Sequence, residues 1–141
     1  MPEMLVPDIN VFHKIIEAVE QRRKNAIQNS RSAYRFTDVN FNSVLGRKRI
    51  DYLVFARVLI SHYLRINCNW TTNEVGALFQ RDHTTVVHWG NVLHDAVTAP
   101  SNKLGRCFYD VQHLFAPPPK DVNRDEFYKQ TNMPVIRMPK K

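Results

Sequence analysis

Cysteine, glycine and mid-chain proline are what this 141-residue chain has little of, and each shortage closes off a class of protein. The two cysteines, Cys68 and Cys107, are too few and too isolated for a disulfide framework or a zinc site, and each reads as a small buried hydrophobe. The four glycines stand far apart at 46, 76, 90 and 105, and no Gly-x-x-x-x-Gly-Lys-Ser/Thr loop occurs. A nucleotide phosphate therefore has no cradle here, and neither ATP nor another cofactor is expected. No apolar run approaches the ~20 residues that span a bilayer. Pro2, Glu3, Pro7 and Asp8 interrupt the place where a signal peptide needs an apolar run. The expectation is a cytoplasmic protein without a membrane partner.

Catalytic patterns are missing as well. His83, His88 and His94 stand five and six residues apart, so they do not share a helix face as zinc ligands at i and i+4 do. No Cys–His pair, suitably placed carboxylate pair or serine-nucleophile elbow is present. No enzyme and no metal site is expected.

What the chain does have is positive charge and helical periodicity. Twenty basic residues against thirteen acidic ones leave a net charge of +7, which favours a polyanionic partner, nucleic acid before an anionic membrane surface. Residues 1–42 are nearly neutral, with six basic and five acidic residues, whereas Arg47, Lys48 and Arg49 form a compact cationic cluster. No proline falls between Asp8 and Ala99, so that whole stretch is free to be helical.

Six helical segments and no convincing strand follow from the spacing of apolar residues. The first starts at Asp8 as N-cap, with Val11, Phe12, Ile15, Ile16 and Val19 at helical intervals. Polar residues from Gln21 to Arg35 then break the pattern and predict a loop or a frayed end. A short second helix follows Thr37, with Phe41, Val44 and Leu45 inward and Gly46 ending it. The third, from about Ile50 to Leu64, is apolar around its circumference and belongs at the centre. Thr71-Thr72-Asn73-Glu74 is a capping box that opens the fourth, whose apolar face is Val75, Leu78 and Phe79. The fifth begins at Asp82 with Val86, Gly90, Leu93 and Val97 on one stripe. The sixth, after Pro100-Ser101, carries Leu104, Cys107, Phe108, Val111 and Leu114, and Pro117-Pro118-Pro119 stops helix formation.

The fourth and fifth helices are joined by so few residues around Phe79-Gln80-Arg81 that they form the skeleton of a helix-turn-helix. The first turn of the second helix is Asp82-His83-Thr84-Thr85, short polar side chains that packing does not need. A recognition helix sets such residues against base edges in the major groove. Asp accepts from a cytosine amine, and Thr hydrogen-bonds or touches a thymine methyl. A blander account makes Asp82 an ordinary N-cap and Arg47-Lys48-Arg49 a solvated run. The capping box, the tight turn and the basic cluster together favour duplex DNA.

With these residues in view, Ser43 to Val97 resembles the C-terminal DNA-binding domain of the bacterial replication initiator DnaA. The likeness rests on Gly46-Arg47-Lys48-Arg49, Ala56-Arg57, Thr71-Thr72-Asn73-Glu74-Val75-Gly76 and Arg81-Asp82-His83-Thr84-Thr85-Val86-Val87-His88, and covers roughly 55 of 141 residues. The last run is the most specific. The resemblance implies an all-α helix-turn-helix bundle of about six helices, similar to Trp-repressor-type folds. It implies a minor-groove arginine at Arg49, major-groove readers at Asp82, His83 and Thr84, and a thymine-facing position at Thr72. It passes phosphate contacts to Arg57, Arg65, Arg81, Thr85 and His88, while Arg47 and Lys48 are phosphate candidates from the basic cluster itself, as a loop that can reach the backbone. The family's turn glycine is missing before Arg81, which shortens the turn by one residue.

The resulting expectation is sequence-specific double-stranded DNA binding in replication-origin recognition or its regulation, for a phage or other mobile element. Transcriptional regulation, or competition with a host initiator, would use the same motif. An adaptor that binds proteins is a different class of reading. In it the first helix serves self-association or contact with a replication protein. The expected organisation is an N-terminal helix and polar loop over 1–36, a DNA-binding domain over 37–116, and a proline-rich basic tail over 117–141.

Overall fold

A computed structural model describes residues 4–27, 37–99 and 102–115. The tail over 117–141, with its five prolines, and the polar stretch 28–36 lie outside the described residues. So do Pro100 and Ser101. Six α-helices and no strand occur among the described residues: α1 (Ile9–Ala26), α2 (Phe41–Leu45), α3 (Asp51–Asn67), α4 (Thr72–Phe79), α5 (His83–Val97) and α6 (Lys103–Val111), the last running into a 3₁₀ turn at Gln112–Leu114. The protein is an all-α bundle. None of these helices is long and apolar enough to cross a membrane.

Helix α3 is the axis, and all five other helices pack on it. Every residue from Ala56 to Ile66 is buried, which is what an all-round apolar helix requires. The left-handed backbone of Asn69, with φ of 59°, turns the chain after α3, and the Trp70 N–H returns to the Leu64 carbonyl at 3.1 Å. The segment before α1 is tied to this same end. The Leu5 N–H donates to Cys68 O, Trp70 Nε1 donates to Leu5 O, and the Asp8 N–H donates to the Tyr63 hydroxyl, all at 2.8–2.9 Å.

Asp8 caps α1 by accepting from the Asn10 N–H. The stripe of Phe12, Ile15, Ile16 and Val19 is buried within the chain's own core, and α1 packs against α3 and α6. Helix α1 also runs on to Ala26, past the break expected at Gln21. Ion pairs carry this extension. Arg22 grips Asp110 of α6 with two bonds, at 2.6 and 2.8 Å. Arg23, buried, pairs with Glu20 and with Asp38, and Glu20 also accepts the Val39 N–H at 2.6 Å.

In α2, Asn40 and Ser43 form a reciprocal capping box and Val44 points inward. Leu45, expected inside, is exposed, because the five-residue helix ends there and Gly46 turns the chain away. Helix α5 buries Val86, Trp89, Leu93, Ala96 and Val97. Gly90, expected on this stripe, is only half-buried, and Trp89 takes the inward place. Helix α6 buries Leu104, Gly105, Cys107, Phe108 and Val111 below the Asn102 N-cap. Both cysteines are buried free thiols, and burial pushes the Cys107 thiol up to about 12.

A candidate nucleic-acid interface on helices α4 and α5

Helices α4 and α5 are separated by three residues, Gln80, Arg81 and Asp82. The capping box predicted at Thr71 and Glu74 is formed: the Glu74 N–H donates to Thr71 Oγ1 at 3.2 Å and the Thr71 N–H to Glu74 Oε1 at 3.1 Å. Gln80 ends α4 in the left-handed region at φ 54°, so a glutamine does what a glycine does more cheaply. Gly76 makes the close turn possible. The Arg81 N–H donates to Gly76 O at 2.8 Å, and a Cβ at position 76 would lie 2.5 Å from Arg81 O. Phe79 and Trp89 lock the two helices with an edge-to-face contact, centroids 5.4 Å apart.

At the start of α5, Asp82 is the N-cap, accepting from the Thr84 N–H at 3.4 Å, and it also pairs with His83 Nδ1 at 2.7 Å. Asp82, His83 and Thr84 are exposed and Thr85 is half-exposed, as the motif predicted for side chains that packing leaves alone. The ordinary capping role of Asp82 is therefore real and coexists with an outward first turn.

Beside this turn lies a cleft of about 380 Å³ lined by Arg49, Val54, Arg57, Arg81, Thr84, Thr85, His88 and Trp89. Six of the twelve expected site residues meet here, drawn from the basic loop, α3, the turn and α5. Arg47 and Lys48 are exposed on the loop beside it, while Asp82 and His83 stand on the outer rim of α5. Thr72 is half-buried in the first turn of α4, away from the cleft lining. Val54 and Trp89 form the apolar part of this wall, and no polar signal in the sequence marks either for the site.

Two arginines differ from the expectation of phosphate contacts. Arg57 is only 1% exposed, and its guanidinium donates to four carbonyls: Val44 at 2.7 Å, Lys48 at 2.6 Å, Gly46 at 2.9 Å and Ser43 at 3.2 Å. It fixes the path of the loop that carries Arg49. Arg65 is likewise buried and donates to Trp70 O at 3.0 Å, directly before the α4 N-cap. Both hold backbone in place, because their donors are turned inward. No sequence pattern marks a carbonyl as a partner.

Arg81 reaches the same loop, with Nη1 on Phe79 O at 2.8 Å and Nη2 on Gly46 O at 3.2 Å. Burial, with help from the nearby Arg81 charge, pushes Arg57 down to about 10. Among the described residues no carboxylate lies within ion-pair distance of Arg49, Arg57 or Arg81. Like charges gathered in one cleft without a carboxylate partner favour an anion there. Among the described residues no three of His, Cys, Asp and Glu come together to hold a metal ion.

Comparison with family models, with curated proteins and with solved structures finds no match to this chain.

Proposed function

We propose that this chain binds double-stranded DNA sequence-specifically and without catalysis, with α4 and α5 as the reading unit. The single observation that carries this is the cleft. It joins Arg49, Arg81, Thr85 and His88, cationic or polar groups without a described carboxylate partner, to the outward first turn of α5. Asp82, His83 and Thr84 face base edges, and Arg49 enters the adjacent minor groove from its loop. Arg47, Lys48, Arg81, Thr85 and His88 meet phosphates. Arg57 and Arg65 position backbone rather than touching DNA. Apart from these two arginines, the resemblance of residues 43–97 to the DnaA DNA-binding domain supports the same assignment. It favours a role in origin recognition or its regulation, for a phage or other mobile element.

Titrating a labelled duplex, and the single strand of the same sequence, over a range of salt tests the reading. Three or more phosphate contacts predict a log–log salt slope of about −3 or steeper on duplex. A slope near zero, or tighter binding to the single strand, overturns it.

A further inference from the structure

A second cleft, of about 250 Å³, opens where the end of α1 meets the starts of α3 and α6, lined by Arg22, Asn25, Ala26, Tyr52, Lys103 and Arg106. Its charge is not used up by the fold. Arg22 is held by Asp110, but Lys103 and Arg106 are exposed and have no carboxylate at ion-pair distance among the described residues. Both stand near the N-terminus of α6, whose first turn contains no acidic residue. A helix start is the positive end of its dipole, so two cations there repel it unless an anion intervenes.

The position of this cleft links it to the first one. Tyr52 in its wall is three residues from Arg49, which lines the first cleft. Gly105 of α6 lies so close to α5 that a Cβ would come within 2.5 Å of Ala96 O. Thr84 and Ala96 are twelve residues apart on α5, a separation of roughly 18 Å along the helix. One turn of duplex is about 34 Å long, longer than this separation along α5.

We propose that this second cleft is a phosphate site for the flank of the same duplex, in which Lys103 and Arg106, beside a fixed Arg22, hold a backbone phosphodiester outside the base-reading core. This rests on the DNA-binding reading above. The site adds affinity and orientation but no base preference, since it faces only the sugar-phosphate backbone.

The test is the double variant Lys103→Ala/Arg106→Ala, with Lys14→Ala, an exposed α1 cation outside both clefts, as the charge control. Each is titrated on a duplex containing only the core site and on one extended by about one helical turn, ~10 base pairs, on each side. Unchanged thermal melting confirms that the variants fold. Wild type is expected to bind the long duplex at least tenfold tighter than the short one. The double variant is expected to bind both as wild type binds the short one, with a salt slope on the long duplex shallower by about 2. Lys14→Ala is expected to behave as wild type. If wild type binds duplex but the double variant keeps its length dependence and slope, or the control loses as much, this proposal fails and the DNA reading stands. If wild type binds no duplex, both fail.

Discussion

Arg57 and Arg81 meet on one oxygen: both guanidinium groups donate to the Gly46 carbonyl, at 2.9 and 3.2 Å. Arg57 comes from α3 and Arg81 from the α4–α5 turn, while Gly46 begins the loop that carries Arg47, Lys48 and Arg49. The loop and the first turn of α5 are thereby held in one geometry through a shared acceptor. A shift of either the loop or the turn is thereby passed to the other.

Removing Arg57 tests this link. Arg57→Met deletes four hydrogen bonds to carbonyls and should lower unfolding stability by roughly 3 kcal/mol or more, since bonds from a charged donor are worth about 1.5–3 kcal/mol each. Urea denaturation checks the loss. Arg57→Lys keeps the charge but cannot span the same acceptors, so it should also be destabilised. A lysine variant as stable as wild type would show that charge alone matters here.

The turn makes opposite predictions for two neighbouring positions. Gln80→Gly relieves a left-handed non-glycine backbone and should leave stability unchanged or raise it by about 0.5–1 kcal/mol. Gly76→Ala drives a methyl against Arg81 O and should cost about 1–3 kcal/mol. Thermal melts of the two variants, run side by side, decide the matter. A destabilised Gln80→Gly would mean that the Gln80 side chain makes a contribution outweighing its backbone cost.

His62 is wholly buried, its Nδ1 has no hydrogen-bond partner among the described residues, and its ring sits 4.6 Å from that of Phe115. Burial pushes it down to about 3, from an ordinary value of 6.5. The unfolded chain therefore takes up a proton before the folded one does. Stability from this group is intact above pH 6.5 and falls as pH drops from there towards 3, by about 1.4 kcal/mol per pH unit. Urea midpoints of wild type and His62→Leu at pH 7, 6, 5 and 4 isolate the effect. The variant's acid loss should be visibly shallower, and parallel curves would show that His62 is not the group responsible.

Much of this architecture was legible because it is local. The N-cap at Asp8, the box at Thr71 and Glu74, and the start of α5 at Asp82 depend on residues within one turn, and each formed as read. The end of α1 was not legible, because Arg22 is secured by Asp110, which lies 88 residues away. On α5 the spacing points to Gly90, but the neighbouring Trp89 takes the inward place, because an aromatic ring fills an interior that a glycine cannot. In the candidate site, the exposed turn could be read from its short polar residues. The inward Arg57 and Arg65 could not, since a charged residue marks the surface by default and their partners are carbonyls that every residue carries.

Selection from a random duplex library, run with wild type, His83→Ala and Thr84→Ala, decides whether the first turn of α5 reads bases as proposed. Wild type should enrich one motif, and each variant should lose preference at a limited set of positions in it, on the order of 1–3 kcal/mol for a good contact. No enrichment by wild type, or the same motif from all three proteins, would show that this turn does not read bases.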